Sequence, residues 1–380
     1  MNILVIPDSF KGSLSSVKVS DAIYDGVKKI LPNSSIKKIP FSDGGEGAID
    51  LLNQIGGGEV EYVNTENSIG LKIKAPIYWL EKNKTAWIEL SQASGLSSLS
   101  KKEMNPMKTS TFGSGILIDY ALKNGCKKIY IGLGGSSTHD LGSGVFMALG
   151  GKLLNKNFLP ILRGGQGLLN CEKINFNTLN PKIKNCEIIL AVDVNNKLLG
   201  PNGAAKTYSP QKGANTKMVE KLERGSIKFA KLIQKTTTKD ISKIKGGGAA
   251  GGAAAGLYGL INAEIKSGFE ILDKLIDLES HISSTDLIIS GEGHLDHQSS
   301  FGKLVGQVGV LAKKNKKILI CIAGKVSLKT EECKAIGISN AWTCRPDSYT
   351  LKKSMDNAYD LIKKSTEKAI KHYISQQKCT

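Results

Sequence analysis

Arginine is nearly absent from this chain, and aromatic residues are few. Arg163, Arg224 and Arg345 are the only arginines, and aromatics make up 6% of the 380 residues. Direct reading of bases leans on arginine, and binding of single strands leans on aromatic stacking. The formal net charge of +18 therefore does not indicate nucleic acid. Its lysines, such as Lys28, Lys29, Lys363 and Lys364, are spread along expected helices and read as a solvated surface. The seven cysteines form no CxxC pair and are odd in number, as expected for reduced thiols in the cytoplasm. No long hydrophobic run occurs. The Ala/Gly-rich stretch 246–256 is too short and too weakly apolar to cross a bilayer. Met1–Ile6 leads straight into Pro7–Asp8–Ser9 without a basic region, so no secretory leader is expected. Several catalytic signatures are missing as well. Gly302–Lys303 is followed by Leu304 and Gly324–Lys325 by Val326, so there is no Walker A sequence. There is no protein-kinase HRD or DFG set and no GxSxG elbow. His139, His294 and His297 fit no structural zinc spacing.

Glycine, at 42 residues, is plentiful and clusters in a few loops. Between those loops the pattern alternates. Asn2–Ile6 reads as a strand, Ser15–Ile30 as a helix with Val19, Ile23, Val27 and Ile30 on one face, Ser35–Ile39 as a strand, and Glu46–Ile55 as a helix stopped by Gly56–Gly57–Gly58. Three closely spaced strands follow, at Val60–Val63, Leu71–Tyr78 and Thr85–Leu90, and then Ser114–Lys123 as helix and Lys128–Leu133 and Glu187–Ala191 as strands. Thr216–Ile233 and Phe269–Leu278 read as helices. Alternation returns with Asp286–Ser290 (strand), Lys303–Lys313 (helix), Lys317–Ile322 (strand), Ile338–Trp342 (strand) and Met355–Ile374 (helix). The fold class expected is α/β: a Rossmann-like parallel-sheet domain built from both chain ends, 1–65 and 285–380, with a second α/β domain, 66–284, inserted and the active site in the cleft between them.

Five polar loops follow predicted strands: Pro7–Ser13, Ser42–Gly47, Gly134–Asp140, Asp193–Asn196 and Gly291–Asp296. In open α/β sheets ligands bind beyond the carboxyl ends of strands. Glycines let backbone N–H groups approach an anion, carboxylates hold Mg²⁺ together with phosphate oxygens, and a lysine neutralises a transferring phosphoryl group. Lys11, Asp43, Asp193, Glu292 and Asp296 supply those residue types, and phosphoryl transfer needs little else from a protein. Gly246–Gly252 matches GxGxxG. It lacks a good preceding strand and a following ribose-binding acid, so a dinucleotide site is not expected. The alternatives that remain are a helix N-terminus facing phosphate, through Gly247 and Gly248, and close packing of small residues.

The same loops resemble the signatures of bacterial glycerate kinases of the 2-phosphoglycerate-forming type, over nearly the whole chain. Pro7–Asp8–Ser9–Phe10–Lys11–Gly12–Ser13–Leu14–Ser15, Ser42–Asp43–Gly44–Gly45–Glu46–Gly47 and Gly132–Leu133–Gly134–Gly135–Ser136–Ser137–Thr138–His139–Asp140 are similar to family motifs, in family order. So are Asp193–Val194–Asn195–Asn196 through Pro210–Gln211–Lys212–Gly213–Ala214, and Ser290–Asp296 with Gln298 and Gly302–Lys303. Three departures stand out: His139 where Asn is usual, His294 where Arg is common, and Asn196–Lys197 in place of Asn-Pro. The resemblance implies Mg²⁺-ATP as donor, D-glycerate as acceptor and 2-phosphoglycerate as product. On that basis Lys11, Asp193 and Asp296 are the expected catalytic residues, with Asp193 a base or a metal ligand. Asp43, Asp193 and Glu292 are the expected Mg²⁺ ligands. Asp8, Ser9, Asp43, Gly44, Gly45, Gly134, Gly135, Ser136, Ser137, Asp140, Gly247 and Gly248 are the expected substrate and phosphate contacts. The expected partners are glycerate and a nucleotide, in a cytoplasmic protein for which a homodimer is allowed, without nucleic acid or membrane. The competing readings are a kinase for another small hydroxy or sugar acid and, further off, a basic nucleic-acid-binding protein.

Overall fold

The computed structural model describes every residue except 11, 42–44, 46, 82–83, 301–303 and 378–380. In chain order its strands are β1 (Asn2–Val5), β2 (Ser35–Lys38), β3 (Gly58–Glu66), β4 (Lys72–Leu80), β5 (Thr85–Glu89), β6 (Lys128–Gly132), β7 (Lys152–Leu154), β8 (Lys173–Asn175), β9 (Glu187–Ala191), β10 (Glu264–Lys266), β11 (Leu287–Leu295), β12 (Ile318–Val326) and β13 (Asn340–Thr343). The chain divides into two compact units, Met1–Asp43 with Leu272–Thr380, and Gly44–Ile271.

The first unit carries a five-stranded sheet in the order β13-β12-β11-β1-β2, parallel at every pairing. A parallel sheet is covered on both faces, so its strands are near-continuous apolar runs. Ile3, Val5, Leu287, Ile289, Ile320 and Ile322 are accordingly buried. The helix Ser16–Ile30 begins where the Ser15 side chain accepts from the Lys18 N–H, and it buries Val19, Ile23 and Val27. It lies directly on the helix Ala358–Gln377. A Cβ added at Gly26 would stand 2.7 Å from the Lys363 carbonyl oxygen and 2.8 Å from Thr366 Cβ, so glycine sets the approach.

The second unit carries a six-stranded sheet in the order β10-β9-β6-β5-β4-β3. The β10, β9, β6 and β5 pairings are parallel, while β5–β4 and β4–β3 are antiparallel. The three strands that lie close together in sequence are therefore a meander, because short links permit only antiparallel neighbours. β7 and β8 form a separate antiparallel pair.

Several expectations shift. The division falls at 43/44 and 271/272, where the sequence suggested 65 and 285. β3 pairs along its length with β4, and the Tyr78 hydroxyl donates to the Leu52 carbonyl at 2.9 Å, which ties residues before 65 to the second unit. The segment expected as one helix over Phe269–Leu278 is two, Gly268–Ile276 and Leu278–Ser283, broken at Asp277 with φ 51°. Met355–Ile374 likewise divides at Asn357, into Leu351–Asp356 and Ala358–Gln377. Most of the stretch expected as a loop at Gly291–Asp296 continues as strand, through Leu295 paired with Val326. Glycine allows it: a Cβ at Gly291 would lie 2.5 Å from the Ile322 carbonyl oxygen, and one at Gly324 2.5 Å from that of Gly293.

Candidate active site

In the second unit the loops that follow β5, β6 and β9 leave from the carboxyl ends of adjacent parallel strands, and they interlock. The Ser137 N–H and hydroxyl both donate to the Ser94 carbonyl, at 2.9 and 3.0 Å, and the Leu96 N–H donates to the Gly135 carbonyl at 2.8 Å. The Thr109 hydroxyl donates to the Ser137 carbonyl at 2.8 Å. Gly135, with φ 68°, turns the loop where a side chain would strain it. Gly134 and Gly135 reach the surface, while Ser136 to Asp140 are buried.

Asp140, expected from sequence to contact substrate or phosphate, is fully enclosed and braces the loop. Its Oδ2 accepts from the Thr111 N–H at 2.8 Å, the Thr111 hydroxyl at 3.0 Å, the Gly144 N–H at 3.2 Å and the Ser110 hydroxyl at 3.3 Å; its Oδ1 accepts from the Gly142 N–H at 3.1 Å. Burial pushes its carboxyl pKa up, against those donors.

His139 is also fully buried. The Ser226 hydroxyl gives its proton to the Leu222 carbonyl at 2.8 Å, so it accepts from His139 Nε2–H at 2.9 Å. That leaves Nδ1 to accept from the Ser209 hydroxyl at 3.3 Å. These partners define a neutral imidazole. Burial, helped by the positive charge of Lys212, lowers its pKa to about 3. This departure from the usual Asn is accommodated inside the unit.

Lys212, which the sequence offered only as part of a longer motif, is the unexpected member of the group. It is 3% exposed, and its Nζ donates to Ser136 Oγ and to the Thr138 carbonyl, both at 2.8 Å. Burial lowers its pKa to about 7, with Asp140 pulling the other way. Glu89 is a second such residue. It closes β5 with no exposure, accepts from the Ile49 N–H at 2.8 Å and from Gln92 Nε2 at 2.9 Å, and has its pKa raised by burial. No local sequence signal marks a glutamate at a strand end as an internal anchor.

The glycine-rich segment packs closely against these loops. A Cβ at Gly251 would sit 2.1 Å from the Thr138 carbonyl oxygen, at Gly256 1.7 Å from that of Leu141, and at Gly248 2.6 Å from that of Lys197. The N–H groups of Gly247 and Gly248 are donated to the carbonyls of Ile244 and Asn196, at 3.1 and 2.9 Å. What these glycines supply in the structure is close approach, not idle donors. Asp193, just after β9, is exposed, and its Oδ1 accepts from the Ser267 hydroxyl at 3.0 Å and the Gly268 N–H at 3.1 Å. Two donors on one oxygen orient the carboxylate.

In the first unit, Asp8 follows β1. Its N–H donates to the Gly291 carbonyl at 2.8 Å, and its Oδ1 accepts from the Ser9 N–H at 2.6 Å. Phe10 and Leu14 close a tight turn by exchanging backbone bonds of 2.8 and 3.0 Å. Glu292 lies within β11 at 5% exposure, and Asp296 follows that strand. His294 is exposed, with Nε2 2.8 Å from Ser327 Oγ and Nδ1 3.6 Å from Asp296 Oδ2. Lys11, Asp43 and Gly44 lie outside the described residues; Gly45 and Gly47 flank Glu46, which also does. Among the described residues no three His, Cys, Asp or Glu side chains are grouped as a metal site would require, and no helix is long and apolar enough to cross a membrane.

The model of the Glycerate kinase family matches residues 3–374. The chain belongs to the glycerate kinase family. That family is one of phosphotransferases acting on an alcohol group. The chain is 37% identical to the Glycerate 2-kinase of Escherichia coli (strain K12) over 362 residues, 95% of each chain. It is 34% identical to the Glycerate kinase of Bacillus subtilis (strain 168) over 366 residues, 96% of each. A crystal structure described as that of a glycerate kinase 2 from Salmonella typhimurium LT2 superposes with a TM-score of 0.80 at 34% identity, covering 100% of this chain and 99% of that one. Family membership extends over both units, so the two-domain α/β architecture is that of the family.

Proposed function

We propose that this protein transfers the terminal phosphoryl group of ATP to D-glycerate, giving 2-phospho-D-glycerate. The observation that carries the reading is the interlocked loop set at the carboxyl edge of the second sheet, in a member of this family. There, Gly134 and Gly135 reach the surface beside the buried pair Ser136 and Lys212, and an oriented carboxylate, Asp193, stands on the neighbouring loop. The choice of the 2-position follows the Escherichia coli relative, whose name carries it.

Loop glycines and the Ser136 hydroxyl bind anionic oxygens of the substrates. The Asp193 carboxylate, held by Ser267 and Gly268, accepts the proton of the attacking hydroxyl or faces a metal. Asp296, after β11, and Lys11 are assigned to the same reaction from the first unit. Asp43, Asp193 and Glu292 are the candidate Mg²⁺ ligands of this chain. The fit lies in the donor chemistry: carboxylates are the hard donors this ion takes, and it commonly needs only one or two from the protein beside phosphate oxygens. When bound, it neutralises phosphate charge.

The test is direct. Purified protein is incubated with D-glycerate and Mg-ATP, and the product isomer is identified by NMR. The reading expects 2-phosphoglycerate. Formation of the 3-isomer would replace the product assignment, and absence of turnover with D-glycerate, against turnover of another hydroxy acid in the same assay, would replace the substrate.

A further inference from the structure

We propose that Lys212 is a positioning residue that turns the Ser136 hydroxyl into a donor for a substrate oxyanion and places a positive charge behind it. This rests on the phosphoryl-transfer reading above. As an ammonium, Lys212 Nζ has no lone pair and can only donate, to Ser136 Oγ and the Thr138 carbonyl. Ser136 Oγ therefore accepts, and its own proton must point elsewhere; among the described residues no acceptor takes it. The neighbouring Ser137 is different, because its hydroxyl is committed to the Ser94 carbonyl at 3.0 Å. Ser136, 7% exposed, adjoins Gly135, the exposed residue of the loop, and its uncommitted O–H is the donor left for a ligand oxygen. Lys212, at 3% exposure, is too enclosed to touch a ligand itself and acts through Ser136.

Two titratable groups face the amine. Burial disfavours its charge and Asp140 favours it, while His139 stays neutral beside it. With a pKa of about 7, Lys212 is only partly charged near neutrality. An oxyanion arriving at Ser136 stabilises the ammonium, so binding and protonation are coupled and affinity falls as pH rises. The oxyanion is either the glycerate carboxylate or a nucleotide phosphate; whichever substrate's KM responds identifies it.

The test measures KM and kcat for D-glycerate and for Mg-ATP in wild type, Lys212→Met and Ser136→Ala between pH 6 and 9. In wild type, KM for one substrate should rise about tenfold from pH 6.5 to 8.5. Lys212→Met should have that KM raised about tenfold already at pH 6.5, with the rise flattened and kcat changed much less. Ser136→Ala, which leaves the lysine in place, should raise the same KM about fivefold, and the double variant should be no worse than Lys212→Met. A folded Lys212→Met that keeps the wild-type pH profile overturns the proposal. If that variant does not fold, Ser136→Ala with wild-type KM for both substrates overturns it equally. If wild type fails to phosphorylate D-glycerate, the parent reading fails. Calorimetric binding of inorganic phosphate to wild type and Ser136→Ala at pH 6.5 and 8.5 then decides the subsite alone: pH-dependent binding lost in the variant supports it, and equal binding by both sinks it.

Discussion

Replacing His139 by Asn, the residue usual in the family, should make this protein more resistant to acid. The native imidazole is neutral, held between Ser226 and Ser209 with no exposure, and its pKa is about 3. In the unfolded chain it returns to its ordinary 6.5. Between those values the unfolded state binds the extra proton, so stability falls as pH drops. The whole interval corresponds to about 5 kcal/mol, of which about 3 kcal/mol is lost by pH 4. The variant has no titrating group there and should lose about 3 kcal/mol less than wild type between pH 7.5 and pH 4. At pH 7.5 it should be about 1–2 kcal/mol less stable, because a smaller side chain leaves space and Ser209 loses its acceptor. Urea unfolding at pH 7.5, 5 and 4, with matching m-values, measures both terms. Parallel pH declines in wild type and variant would refute the reasoning, since they would mean that His139 is already solvated or charged in the folded protein.

Asp140→Ala should cost about 3–5 kcal/mol in chemical denaturation, because it strands the buried N–H groups of Thr111, Gly142 and Gly144; a loss under 1 kcal/mol would contradict its role as the brace. Gly251→Ala combines a φ of 63° with a Cβ 2.1 Å from the Thr138 carbonyl oxygen, and should lower stability by about 3 kcal/mol, read as a fall in urea midpoint. Asp193→Asn should reduce kcat by about 100-fold or more with the melting temperature unchanged, and wild-type kcat would remove Asp193 from the mechanism.

Much of the fold was legible because the first unit repeats one arrangement: apolar runs closed by Pro7 or Pro40 and followed by a helix with a 3.6-residue stripe. The meander β3–β4–β5 was visible as strands too close together for crossovers. Helix breaks at Asp277 and Asn357 were not, since neither residue type forces a stop. The loops beyond the strands were recognised by composition, yet within Gly134–Asp140 composition does not separate Ser136, whose hydroxyl proton no described acceptor takes, from Asp140, whose two oxygens are both engaged. Both are small polar residues of the kind that line ligand sites, and their hydrogen-bond partners distinguish them.

Residue order and chemical type, read in one dimension, determined the α/β class, the elements that alternate and the loops that carry acids, glycines and hydroxyls. Tertiary structure decided which of those groups face solvent. It drew Lys212 from a loop 74 residues further on to the Thr138 carbonyl, pressed the glycines of 248–256 onto neighbouring carbonyls, and made a neutral base of His139. These are consequences of enclosure, which fixes the cost of charge and the partners of every polar atom, and enclosure is a property of packed elements that no local stretch of sequence contains.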